Sequence, residues 1–297
     1  MQIETPFALE GREIVTLLKR KAPDEEIQPI IEKIQSAAID NELDPIVAST
    51  DIFVTAVLHV GSKSLSHVLA AIERTKDRLT DIGASSEAAR SQILTSVMEY
   101  WASHPGVAIT IVEKLLNYSI LAPSVVINWT LVGFAGKNHG DALAKGYIYE
   151  LVFNTVMKVT GRVRQLANKK IAAIALSDAS DDVAMEDIES AAAVEQEVKA
   201  MRSLFRDIED ALVAFAQGTK DEIMEVTDGL DKTEGEMLVK RWGERWLRVF
   251  RRRAAIEEAY LIEKEREREK KVAAKKADAA KAVDGDGDVA VGNGPVA

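Results

Sequence analysis

The stretch IVASTDIFVTAVLHVGSKSLSHVLAAIERTKDRLTDI, residues 46–82, decides the fold. Its apolar side chains recur at intervals of three and four, the spacing that lines one face of an α-helix, and Gly61 is the natural break between two helices near 46–60 and 62–82. Moving towards the C-terminus, the same spacing predicts helices near 86–103, 105–119 and 122–134, separated at Gly83-Ala84-Ser85, His104-Pro105 and Ala122-Pro123. Moving towards the N-terminus, one helix is expected from about Glu10 to Lys21, with Ile14, Leu17, Leu18 and Lys21 on one side and Pro23 as its stop. A second runs from about Glu25 to Ile39 with Asp24 as its cap; Pro29 lies deep for a first turn, which moves the expected start towards Ile27. No segment reads as a strand. Loops of two to five residues between helices of this length force antiparallel neighbours, and successive pairs of that kind stack into an α-solenoid. There is no clean repeat signature, so this expectation rests on helix and loop lengths.

From Ala142 the character changes, because one helical pattern continues to about Leu176, well beyond the usual helix of a globular protein. The acidic segment Ser177-Asp178-Ala179-Ser180-Asp181-Asp182 interrupts it. A second long helix then carries Val194, Val198, Met201, Phe205, Ile208, Leu212 and Phe215 at four-three spacing, a coiled-coil seam. Ile148, Val152, Thr155, Val159, Val163 and Leu166 form a looser stripe on the first arm. The two arms are therefore expected to pack as a protruding antiparallel coiled-coil hairpin with a mobile acidic tip. A last helix begins near Thr233 or Glu234, with Leu238, Trp242, Trp246, Val249 and Phe250 inward and a basic side that includes Arg241, Arg245, Arg248, Arg251, Arg252 and Arg253. The domain plan is N-terminal helices over 1–45, a helical-repeat domain over 46–262 with the coiled-coil insertion at about 150–215, and a charged disordered tail over 263–297.

Composition narrows the function. The 297 residues are 47% hydrophobic and 29% charged, enough to bury a sizeable core. With no cysteine there is no disulfide, thiolate metal site or cysteine nucleophile, which fits a reducing intracellular compartment. The opening MQIETPFALEGREIV lacks the basic and apolar regions of a secretory signal, and no apolar run reaches the roughly 20 residues that span a bilayer, so a soluble chain with no membrane partner is expected. A formal net charge of −10 opposes broad attraction to phosphate backbones, so any RNA role is local or supplied by a partner.

Candidate chemistry is sparse. His59 and His67 lie in HVGSKSLSH with Lys63 and three serines, but a hydrolase triad would need an orienting carboxylate as well as a Ser–His contact, and no G-x-S-x-G elbow occurs. Helix capping and interhelical hydrogen bonding are the simpler roles. No H-E-x-x-H pattern is present, so neither a metal site nor a cofactor is expected. Gly136-Lys137 has the wrong surroundings for a phosphate loop, and Asp284, Asp286 and Asp288 open a calcium-loop pattern that fails at Val289 and Pro295. Arg241, Arg245, Arg248 and Arg252 form a candidate patch for RNA or an acidic partner, with Trp242 and Trp246 beside them on the apolar stripe.

The run FVTAVLHVGSKSLSHVLAAIER, then VMEYWASHPGVAITIVEKLLNYSIL and VVINWTL, resembles the last of three related helical domains in the large subunit of the nuclear mRNA cap-binding complex. The residues that carry the likeness are His59, Gly61, Ser62, Lys63, Ser64, Ser66, His67, Tyr100, Trp101, His104, Pro105, Asn128 and Trp129. FALEGREIVTLLKRKAPDEEIQPIIEKI resembles the stretch before that domain in fungal members, and the long helix pair is similar to the family's protruding coiled coil, so the likeness covers most of residues 5–260. It implies an all-α fold of stacked antiparallel helix pairs, a MIF4G/HEAT-like α-solenoid. It also implies a non-enzymatic scaffold in the nucleus, with shuttling to the cytoplasm. The implied partner is a small RNA-recognition-motif subunit that reads the methylguanosine cap, so capped mRNA is engaged indirectly; export and transcription adaptors are further implied partners. The signature residues serve either helix packing or partner binding. The chain is far shorter than that large subunit, which leaves the first two domains outside it.

Overall fold

The computed structural model describes residues 7–133, 139–176, 183–219 and 231–285, all helices and short links with no strand among them. Gly136, Lys137, the acidic tip 177–182 and the end of the aspartate run, Asp286 and Asp288, lie outside the described residues. The helices are α1 Ala8–Lys19, α2 Asp24–Asp40, α3 Pro45–Gly61, α4 Leu65–Arg74, α5 Lys76–Ser85, α6 Glu87–Tyr100, α7 Pro105–Asn117, α8 Pro123–Ile127, α9 His139–Ala142, α10 Gly146–Leu176, α11 Val183–Gln217 and α12 Lys232–Gly285. They fall into two compact units, one of residues 1–157 and 207–247, the other of residues 158–206 and 248–297.

In the first unit α3 is the hub, packed by α1, α2, α4 and α6, while α6 passes the stack on to α7 and α8. Its sequence explains the position: Phe53, Val54, Ala56, Val57 and Leu58 are all buried, so apolar side chains leave α3 in several directions and need neighbours on each. Asp44 starts it by accepting hydrogen bonds from the amides of Ile46 and Val47, both 2.9 Å, with Pro45 in the first turn.

Three local expectations change. The segment 62–82 is two helices, because Thr75 ends α4 and turns its hydroxyl back onto the Ala71 carbonyl at 3.1 Å. α2 begins at Asp24 with Pro23 before it, and Pro29 sits inside the helix. Asp24 is not the cap: its carboxylate holds the Arg78 guanidinium of α5, with Arg78 Nη2 to Asp24 Oδ2 at 2.7 Å and to Gln28 Oε1 at 2.9 Å. Beyond α8 the chain loosens into a π-helical turn, Asn128–Val132, closed by Gly133 N–H donating to the Asn128 carbonyl at 2.6 Å.

The second unit holds parts of three helices where the sequence suggests two arms. Arg164 and Asn168 of α10 meet Glu257 and Tyr260 of α12, which makes those helices parallel, while Phe205 and Arg202 of α11 meet Phe250 and Glu258, which makes α11 antiparallel to both. The looser stripe of α10 follows, since a helix flanked by two neighbours spreads its apolar residues over a wider arc than a two-stranded seam requires. α12 continues through the charged run to Gly285, where the sequence suggests a tail from residue 263. Lys264–Glu267 at 2.8 Å and Lys271–Glu267 at 3.2 Å are the i,i+3 and i,i+4 pairs that support an exposed helix. The stripe of α12 is also displaced from expectation: Gly235, Val239, Trp246, Leu247 and Phe250 are buried, Leu238 and Trp242 are half-buried, and Val249 is exposed.

Candidate functional site

The signature residues gather mainly around the α3–α4 link and the α6–α7 link. Gly61 ends α3 where α4 crosses closest: a Cβ at that position would lie 2.8 Å from the Val68 nitrogen and closer still to its Cα. Only glycine lets the two backbones touch. Ser62 Oγ donates to the His59 carbonyl at 2.9 Å and secures the end of α3. Ser64 caps α4, its Oγ accepting from the His67 amide at 3.3 Å and lying 2.7 Å from His67 Nδ1. Lys63, Ser66 and His67 are exposed beside it.

That Ser–His contact is the one a hydrolase would need, but here the serine oxygen serves the helix end. The residues are three apart on one turn, and the His67 ring donates to no carboxylate among the described residues. The arrangement caps a helix and leaves the His67 imidazole at the surface.

His59 crosses to α6, with Nδ1 3.3 Å from the Tyr100 hydroxyl. Tyr100, Trp101 and His104 continue as an edge-to-face series, with centroids 5.5 and 6.3 Å apart. Trp101 Nε1 is buried without a hydrogen-bond partner among the described residues, and Pro105 opens α7. His59 and the α6–α7 residues thus form one cluster. Trp129 belongs to another layer, its Nε1 donating to Thr95 Oγ1 on α6 at 2.9 Å, while Asn128 is exposed.

The arginine patch is split by function. Arg241, Arg245, Arg248 and Arg252 are exposed and make no ion pair or hydrogen bond among the described residues. Arg253 instead turns inward and pairs at 2.6 Å with Glu257, which Arg164 also holds, at 2.7 and 3.1 Å. Trp246, placed beside the patch on the apolar stripe, is buried.

Sequence reasoning missed three features. Asp51, inside an apolar run, accepts from Ser96 Oγ at 2.7 Å and Gln92 Nε2 at 3.1 Å, tying α3 to α6; burial, with Asp51 nearby, raises the Glu99 carboxyl above its ordinary value. A cleft of about 320 Å³ lies between Lys21, Asp24, Arg74, Asp77, Arg78 and Asp81. In the second unit a groove of about 560 Å³ is lined by Ile171, Val198, Ile262, Lys170 and Arg268 among others. Buried polar residues inside apolar stretches are the one sequence signal available for the first of these. Among the described residues there is no cluster of three metal-ligating side chains and no helix long and apolar enough to cross a membrane.

Comparison with known proteins supplies a relationship. A family model described as "MIF4G like" matches residues 1–259. Nuclear cap-binding protein subunit 1 of Aedes aegypti is 29% identical over 182 residues, which is 59% of this chain and 21% of that protein. Nuclear cap-binding protein subunit 1-A of Xenopus laevis is 28% identical over 171 residues, 55% of this chain and 21% of the relative. The chain thus spans about a fifth of the length of the curated relatives it matches.

Proposed function

The chain is a member of the MIF4G-like family, and from that premise we propose that it is a non-catalytic scaffold of the nuclear cap-binding complex, docking and ordering the small RNA-recognition-motif subunit that binds the methylguanosine cap. The observation that carries this reading is the likeness to proteins named nuclear cap-binding protein subunit 1, at 28–29% identity over more than half of this chain. Two further features support it. Ser62 and Ser64 of HVGSKSLSH are spent on helix ends and His59 on a contact with Tyr100, and a net charge of −10 supports leaving cap and phosphate recognition to a partner. Capped mRNA is then engaged indirectly, in the nucleus, with export and transcription adaptors as further partners. On this reading the exposed Lys63, Ser66 and His67 are the signature residues available to a partner, and the buried ones hold the stack.

Titration of the chain with the small cap-binding subunit, with and without a methylated cap analogue and with the relatives' upstream domains added, tests it. Binding strengthened by the cap analogue is expected. No binding in either form would shift the assignment to a related helical-repeat scaffold of translation or mRNA decay. Salt-sensitive binding of uncapped RNA, lost on reversing Arg241, Arg245, Arg248 and Arg252, would instead make the chain a direct RNA binder.

A further inference from the structure

The inward seam of α12 changes chemistry partway along the second unit. Phe250, Ala254, Glu257 and Leu261 follow one another at steps of four, three and four, the spacing that keeps one face of a helix against its neighbours. The next four positions of the same series, Lys264, Arg268, Lys271 and Lys275, are cationic. All four are half-buried while Glu263, Glu265, Arg266 and Glu269 beside them are exposed, so the seam persists after its side chains become charged. Glu257 is met from α10 by Arg164. Lys264 and Lys271 instead pair with Glu267, and Arg268 pairs with Glu265, all on α12 itself. No carboxylate of α10 or α11 pairs with Lys264 or Arg268 among the described residues.

A charged group resists transfer into an apolar interior unless a partner waits there. α12 therefore does not close over the apolar faces of α10 and α11 at this level, and the groove of about 560 Å³ is the result. Its floor is Ala167 and Ile171 of α10, Val194 and Val198 of α11, and Leu261. Its rim carries Lys170, Arg202, Lys264 and Arg268 against Glu195 and Glu265. Positive charge is thus in excess around an apolar floor, in a chain whose net charge is −10.

These features select among occupants. No residue lining the groove is aromatic, so the bases of an RNA strand have no stacking platform. A lone anion has no use for the apolar floor, and the cationic series runs on past the groove from Lys264 to Lys275, a rise of about 16 Å along the helix. An acidic polypeptide segment uses both features: its carboxylates follow the cationic series, and a bulky apolar side chain among them covers the floor. We propose that this groove, with the cationic seam of α12, is a docking site for an acidic segment of a protein partner that inserts bulky apolar side chains between the three helices.

Arg266 supplies an internal control. It is exposed, and two residues from both Lys264 and Arg268 it lies about 160° round the helix from each. A fluorescein-labelled peptide of about 12 residues, glutamates interrupted by two leucines, is titrated into the full chain by fluorescence anisotropy. It should bind saturably, at least fivefold more weakly to Arg268→Glu and within about twofold of the parent to Arg266→Glu, which carries the same change in net charge. Val198→Phe, which fills the floor, should weaken binding at least fivefold, and so should serine in place of both leucines of the peptide. Circular dichroism checks that each variant is folded. Equal losses on Arg268→Glu and Arg266→Glu would reduce the effect to net charge and overturn the proposal. So would undiminished binding of the serine peptide, saturable binding of a labelled oligouridylate alone, or no saturable binding of the leucine peptide. The probe contains no part of a cap-binding subunit, so its failure leaves the cap-binding reading untouched.

Discussion

At the scale of single residues, Gly61 and Glu257 are the positions with least tolerance. A methyl group at Gly61 would enter the backbone of Val68, so Gly61→Ala should cost about 1–3 kcal/mol through forced separation of α3 and α4, read as a lower midpoint in thermal unfolding. Lys63→Ala and Ser66→Ala, both exposed, should leave that midpoint within about 0.5 kcal/mol of the parent, which separates residues that pack from residues free to bind. Glu257 is 2% exposed and shared by Arg164 and Arg253. Removing its charge in Glu257→Gln leaves two guanidinium groups facing an amide, with Arg253 Nε already buried and without a hydrogen-bond partner among the described residues, and should cost about 3 kcal/mol in denaturant unfolding. An unchanged midpoint would mean that solvent already compensates both arginines.

At the scale of elements, α2 shows how packing overrides a local penalty. Pro29 cannot donate to the Glu25 carbonyl, yet the helix persists because Ile27, Ile30, Ile31 and Ile34 are all buried. Pro29→Ala restores that hydrogen bond and should stabilise the protein by about 1–2 kcal/mol, the helix gain being reduced by the freer unfolded chain. A lower stability would show that the ring itself is needed where it sits. α12 shows the converse, a segment with little apolar content that stays helical through charge pairs spaced three and four apart. The α3–α4 link was legible in sequence because Gly61 and the serines after it are local signals. The Thr75 break and the Asp24–Arg78 pair were not, because a break inside a continuous periodic pattern depends on where the next helix must go, and residues 54 apart meet only through the fold.

At the scale of the whole molecule, charge placement makes stability depend on pH in two opposing ways. Glu10, hydrogen-bonded to Lys33, and Glu258, hydrogen-bonded to Arg202, have carboxyls held below their ordinary value of 4.5. Such groups stabilise the fold above pH 4.5 and lose that contribution as the pH falls through their lowered values. Glu99 is shifted up by burial with Asp51 nearby, so its contribution is full below its ordinary value and is lost as the pH rises through the raised one. Arg202→Gln should therefore flatten the acid limb of a melting-temperature profile below pH 4.5, and Glu99→Gln should raise the midpoint at pH 7 while leaving the acid end nearly unchanged. A profile that responds to neither variant would place the acid sensitivity elsewhere.

Read alone, the sequence determined the all-α class, the order of most helices and the likeness to the cap-binding large subunit, because three-four periodicity, glycine and proline breaks and capping residues act over one or two turns. It placed the seam of α11 from Met201 to Phe215 on residues that are all buried, Met201, Phe205, Ile208, Leu212 and Phe215. Only the tertiary structure decided that α12 is a third helix beside the two arms and that Glu257 lies buried between two arginines. Those outcomes depend on which helix occupies the space next to which, and a helix carries the same apolar stripe in its sequence whether one neighbour covers it or two do.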